Sequence, residues 1–199
     1  MMSPNQPRNE NLAAILSTVT NDHSWIAFDC ETTGLPPRGR LIELGAIHFD
    51  RDGVVISEFH EMARPPHRVP GFITRLTGIT NRDLIGASGL VDVIHRFMKW
   101  IPPDIPLIAH NVPFDLQILA TEAPGTDRLL DEHSIVDSVH IARALCEFPD
   151  CRLQTIAKSL NVMPPGNLHR VRADVRVVRA LFLSALSRNK SFPDSYFNG

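Results

Sequence analysis

WIAFDCETTG, residues 25–34, decides how this chain folds. Its first four residues are apolar without alternation, the pattern of a strand covered on both faces, and they carry Asp29 and Glu31 to the strand's end. Two apart in a strand, these carboxylates share a face. Working outward, RLIELGAIHF (40–49) and VVISEFHEM (54–62) read as two further strands. The Asp50-Arg51-Asp52-Gly53 step between them is a hairpin signal, so an antiparallel meander is expected. IPLIAH (105–110) and HSIVD (133–137) supply a fourth and a fifth strand. Helical pieces are predicted at 72–76 and 81–84, and helices at 90–100, 112–121, 138–145, 153–160 and 171–187. A meander followed by strands alternating with helices gives an α/β fold: a mixed five-stranded sheet, antiparallel then parallel, flanked by helices.

Composition bounds the rest. The 199 residues suit one domain, and 43% hydrophobic with 21% charged residues is ordinary for a globular protein. No apolar run approaches the roughly 18 residues of a membrane span, so no membrane partner is expected. A net charge of -2 and a pI near 6.5 argue against coating long stretches of nucleic acid. They do not argue against gripping one chain end, where bound cations can supply the attraction for phosphate. Cys30, Cys146 and Cys151 lack CxxC spacing and read as packing residues in a reducing compartment. MMSPNQPRNE, residues 1–10, carries no secretory or transit pattern, so the cytoplasm is the expected location. Residues 1–22 are expected to form a flexible arm with one helical turn near 12–16, residues 23–188 the domain, and 189–199 a tail.

Helical phase separates structural from functional carboxylates, because a structural Asp belongs on the wet face or at a cap. On the last helix Val171, Val175, Val178, Leu181 and Phe182 form the apolar stripe, and Asp174 falls inside it. Arg172, Arg176 and Arg179 line the opposite side and read as a solvated face. Asp115 lies likewise among Val112, Leu116, Ile118 and Leu119, in a helix with Asn111 as cap and Pro113 in its first turn. A carboxylate aimed at a core must be paired or bind a cation. Either residue alone suggests a buried ion pair, and Asp29 and Glu31 alone could merely organise the ETTGLPPRG turn. Together the four describe an all-oxygen set suited to Mg²⁺ or Mn²⁺ rather than zinc. His169, five residues before Asp174, projects from the preceding loop, where an imidazole could take a proton from an attacking water. Alone it would be a surface histidine. The set reads as a two-metal phosphodiesterase site.

These motifs, DxETTG, LTGIT, HNxxFD and HxxxxD in this order, resemble the DEDD exonuclease superfamily, in the DnaQ-like branch that includes polymerase proofreading subunits, RNase T, oligoribonucleases and three-prime repair exonucleases. The resemblance spans about residues 25–187. It implies a ribonuclease-H-like fold and stepwise release of nucleoside monophosphates from a 3′ end, with two divalent cations; single-stranded nucleic acid is the expected substrate, DNA slightly favoured, and no basic or aromatic-rich insertion marks RNA over DNA. It also implies that Asp29, Glu31, Asp115 and Asp174 are the metal ligands and His169 the general base. Thr32, Thr33, Gly34, Leu35, Ile79, His110, Asn111 and Phe114 would contact the terminal nucleotide, Leu35 and Ile79 as walls. Asp137 is expected to cap the helix that follows it. The short stretch after the last helix gives no support for attachment to a polymerase. A phosphohydrolase of small nucleotide esters and a catalytically silent binding module are the alternatives.

Overall fold

The apolar run opens β1 (Ser24–Thr32), which sits inside a six-stranded sheet of order β4-β3-β2-β1-β5-β6. The computed structural model describes residues 11–19, 22–126, 132–163 and 169–189. β2 (Leu41–Asp50) and β3 (Val55–Arg64) complete the meander, and β5 (Leu107–Ala109) and β6 (Ile135–Asp137) add in parallel beside β1. All five predicted strands are present. The sixth, β4 (Ser88–Gly89), pairs parallel with Ala63 and Arg64 of β3, and two residues are too few to carry a period. The helices are α1 (Leu12–Ser17), α2 (Gly71–Thr77), α3 (Leu90–Trp100), α4 (Val112–Glu122), α5 (Ser138–Leu145), α6 (Leu153–Ser159) and α7 (Val171–Arg188). Residues 81–86 form turns where a helical piece was expected.

Alternate residues of β1 feed two cores. Trp25 and Ala27 pack with Ile47, Phe49 and the α7 stripe of Val175, Val178, Leu181 and Phe182. Ile26 and Phe28 pack with Leu44, Phe59, the α3 residues Val93, Ile94 and Phe97, and Ile118 and Leu119 of α4. Ring centroids of Trp25, Phe49 and Phe182 lie 5.1 to 6.2 Å apart, tilted or edge-on, arrangements worth ~0.5–1.5 kcal/mol per pair beyond area burial. A third, smaller cluster of Ile42, Val69, Ile73, Ile79 and Leu84 seats α2.

Two features hold α7 against its neighbours. A Cβ on Gly45 would lie 2.4 Å from Val171 Cγ2, so only glycine lets the helix start press this closely on β2. Arg179 on the α7 face expected to be solvated is half-buried, and its guanidinium donates to the Gly53 carbonyl at 3.0 Å.

Part of the expected arm is built into the domain. Leu16 and Val19 are fully buried in the Trp25 cluster, and the Trp25 indole N–H donates to the Val19 carbonyl at 3.0 Å. Two apolar residues against an aromatic wall outweigh the polar character of their neighbours. Residues 1–10, the 164–168 segment before His169 and the tail from 190 lie outside the described residues. Among the described residues no helix is long and apolar enough to cross a membrane.

Candidate active site

β1 ends by turning sharply through Thr32–Gly34, and the turn is held by the threonine hydroxyls. Thr32 Oγ1 donates to the Gly34 carbonyl at 2.7 Å, and Thr33 Oγ1 accepts the Arg40 N–H at 2.9 Å. Thr33 therefore braces the loop, and it is not among the described residues that line the cleft above it. The cleft encloses about 800 Å³ between the end of β1, α2, the start of α4, the 151–154 segment and the His169–Asp174 corner. Asp29, Glu31, Thr32, Gly34, Leu35, His110, Asn111, Phe114, His169 and Asp174 line it.

The carboxylates converge from three elements. Asp174, on the first turn of α7, is 5% exposed, and Glu31 is 9% exposed. Glu31, His169 and Asp174 each offer a ligand atom within 4.8 Å of the other two. His169 sits at φ 71°, and its backbone N–H donates to the Asp174 carboxylate at 3.2 and 3.4 Å. Asp115 is 1% exposed behind the cleft surface, and its Oδ1 accepts the Cys30 N–H at 3.0 Å. Asp29 Oδ2 is enclosed with no hydrogen-bond partner among the described residues.

Electrostatically the cluster is frustrated. Burial, then the charges of Asp115, Asp174 and Glu31, push Asp29 well above the usual carboxylate range. Burial, then Asp174 and Glu43, push Glu31 up to about 8. Burial pushes Asp115 up to about 8 against the hydrogen bonds from Cys30, and Asp174 up to about 7 against the His169 N–H. Four carboxylates this close cannot all ionise without a compensating charge. An enclosed, unpartnered Asp29 oxygen and an all-oxygen core fit a hard divalent cation, with His169 at the edge of the set.

Several expected contacts take a different form. Ile79 is 1% exposed in the cluster under α2 and does not reach the cleft. On the α2 side the cleft is lined instead by Phe72 and Leu76, 58% and 46% exposed, which lie four apart on one side of α2. The Asn111 side chain caps nothing; the residue adopts the left-handed conformation that Asn tolerates. Its N–H and that of Val112 donate to the Asp137 carboxylate at 2.9 and 3.2 Å. Asp137 also accepts from Val139, so it caps α5 as expected and α4 as well. His110 lines the cleft with both ring nitrogens engaged. Nε2 is 2.7 Å from the Cys151 carbonyl, which can only accept, so Nε2 carries the proton, and Nδ1 meets Ser138 Oγ at 2.8 Å. His110 thereby ties β5 to the 151–154 wall, where Arg152 is the sole guanidinium or ammonium among the described lining residues.

A sequence model described as Exonuclease matches residues 26–182. The chain belongs to this exonuclease family. It is 30% identical over 172 residues to the DNA polymerase III subunit epsilon of Treponema pallidum (strain Nichols), covering 83% of this chain and 78% of that protein. It is 33% identical over 171 residues to a DNA polymerase III PolC-type of Bacillus subtilis (strain 168), where the match covers 83% of this chain but only 12% of the polymerase. Two solved structures share the fold at 20% identity. E. coli Exonuclease I in complex with a dT13 oligonucleotide superposes with a TM-score of 0.73 over 88% of this chain and 44% of that one. Exonuclease X in complex with 5′ overhanging duplex DNA does so with 0.67 over 86% and 95%. The ribonuclease-H-like α/β architecture and the DnaQ-like assignment are those expected from the motifs.

Proposed function

We propose that this member of the exonuclease family hydrolyses phosphodiesters from the 3′ end of single-stranded DNA, releasing nucleoside 5′-monophosphates. The observation that carries the reading is the convergence of Glu31, His169 and Asp174 to within 4.8 Å beside the unpartnered Asp29 oxygen, in a cleft open to solvent. Asp29, Glu31, Asp115 and Asp174 would hold two divalent cations, Mg²⁺ or Mn²⁺. Such a pair, when bound, offsets charge on the attacking and leaving oxygens and makes the water acidic enough to deprotonate near neutral pH. The work of the chain itself is then placement and proton transfer. His169 takes the proton of the attacking water, which its exposure at the cleft edge permits. The Cys30 N–H keeps Asp115 aligned, and the His169 N–H does the same for Asp174.

Substrate recognition follows from the walls. A terminal base fits between exposed Leu35 and the Phe72–Leu76 pair, where stacking is tolerant of sequence. A cleft with one guanidinium among its described lining residues suits a single strand end rather than a long tract. DNA is the favoured polymer because the similar proteins carry DNA polymerase names and the similar folds hold oligodeoxynucleotides or duplex DNA.

A gel time course tests this with 5′-labelled single-stranded DNA and RNA of one sequence, in Mg²⁺, Mn²⁺ or EDTA, beside Asp29→Ala. A ladder shortening by single nucleotides, dependent on metal and lost in the variant, is expected. Turnover of mononucleotide esters without attack on oligomers would replace the polymer reading with a small-ester phosphohydrolase, and no hydrolysis of either would leave a binding module.

A further inference from the structure

Glu43 has no place in the hydrolytic scheme, yet it is the most heavily engaged charged side chain beside it. It lies on β2 directly across from Glu31 of β1 and is 1% exposed. The Arg170 guanidinium grips it with two nitrogens, Nη2 at 2.7 Å and Nε at 3.0 and 3.2 Å. The Val171 N–H donates to it at 3.3 Å, and His60 Nε2 lies 2.7 Å from it. Arg170 and Val171 are the two residues that follow His169.

We propose that Glu43 is a positioning residue for hydrolysis, a latch that fixes the backbone on which His169 and Asp174 are mounted. This rests on the exonuclease reading above. His169 is held in the left-handed region at φ 71°, a conformation that persists for a residue with a side chain only where its surroundings over-determine it. On its carboxyl side those surroundings are the Glu43 contacts. Arg170, at the helix N-cap, makes no side-chain cap bond, so Glu43 supplies from another strand the acceptor that the first helical N–H needs. The same corner turns the His169 N–H onto Asp174. Two cross-strand glutamates would repel, and the paired guanidinium makes Glu43 tolerable there; the hydrogen bonds from His60 and Arg170 hold its carboxyl down at about 2 against the effect of burial. A carboxylate serving only to staple α7 to β2 would have the same contacts, so the test must separate position from stability.

The variants are Glu43→Gln, Arg170→Gln and the double substitution in the full chain, with thermal unfolding confirming that each is folded at the assay temperature. The readouts are kcat and KM on labelled single-stranded DNA in saturating Mn²⁺, and hydrogen exchange of the His169 amide. Each single variant is expected to lower kcat roughly ten- to a hundredfold, as loss of a support behind metal ligands does, with KM moved by less than about twofold. The double variant should be no slower than the worse single one, because both break one latch. The His169 amide should lose protection in all three. Arg170→Lys, which keeps the charge without the fork, should restore only part of the rate. Unchanged kcat in folded variants, additive losses in the double, or unaltered exchange at His169 overturns the proposal. If the wild type releases no nucleotide from DNA, the exonuclease reading fails by itself, and the exchange measurement still decides whether Glu43 holds this corner.

Discussion

His169 and Asp29 sit at opposite ends of the cluster in exposure, and their substitutions should separate. Asp29 presents an enclosed oxygen with no partner among the described residues, so Asp29→Ala is expected to abolish hydrolysis and weaken Mn²⁺ binding, read by calorimetric titration. His169 is exposed and engages Asp174 through its backbone, so His169→Ala should leave Mn²⁺ affinity within a few fold and lower kcat about 10²–10⁴-fold, the range of a lost general base. Equal loss of metal affinity in both would make His169 a ligand instead. Phe72 tests recognition. Phe72→Ala should raise KM for single-stranded oligonucleotides about tenfold or more, since base–aromatic stacking is worth ~1–3 kcal/mol, while kcat stays near wild type. Unchanged KM would remove Phe72 from the substrate path. Nothing in the sequence singled it out over Ile79, because a seven-residue helix repeats its apolar spacing too few times to show which side is wet.

At the scale of elements, the site depends on how tightly α7 meets β2. Gly45→Ala would drive a methyl into Val171, a clash that α7 can relieve only by shifting its first turn, which carries Asp174. The expected result is a stability loss of ~1–3 kcal/mol, as in overpacked cores, with a larger proportional fall in kcat. Thermal unfolding and turnover measured on the same sample check this; full activity would show that the helix start has room to move. The position of Asp174 was legible because α7 is long and its stripe unambiguous, and the Asp115 helix reads the same way. Glu43 was not. LIELGA reads as a continuous buried strand, and the charge inside it was the available signal, since a carboxylate there demands a partner. Its partner, Arg170, is 127 residues away in sequence, and no local pattern links the two. Likewise the cap on α4 comes from Asp137, 25 and 26 residues downstream, whereas Asn111 had the better local credentials.

For the whole molecule, the sheet order follows from meander and alternation, whereas the two-residue β4, the turns at 81–86 and the seating of α1 against Trp25 lay outside what those patterns carry. Folding forces four carboxylates together, an arrangement that a bound cation is expected to relieve. Asp29, Glu31, Asp115 and Asp174 all have folded-state pKa values above their ordinary 3.8 or 4.5, three of them reaching about 7 to 8. Between pH 4 and 8 these four groups therefore bind more protons in the folded chain than in the unfolded chain, and without metal their contribution to stability falls as pH rises; His48 and His110, lowered by burial, act oppositely near and below pH 6.5. Glu43, lowered from 4.5 to about 2, acts oppositely and loses its contribution only as pH falls below 4.5. Stability in EDTA should thus be greatest near pH 4 to 5. Divalent cations remove the repulsion, and at about a hundred times Kd they add ~2.7 kcal/mol. The measurement is thermal unfolding in EDTA and in saturating Mn²⁺ at pH 5 and pH 8, for wild type and Asp29→Ala. The expected result is a melting temperature in EDTA lower at pH 8 than at pH 5, raised by Mn²⁺ at pH 8 in the wild type and little changed by Mn²⁺ in the variant. A wild-type melting temperature indifferent to Mn²⁺ at pH 8, or raised equally in Asp29→Ala, would contradict a metal site built from these carboxylates.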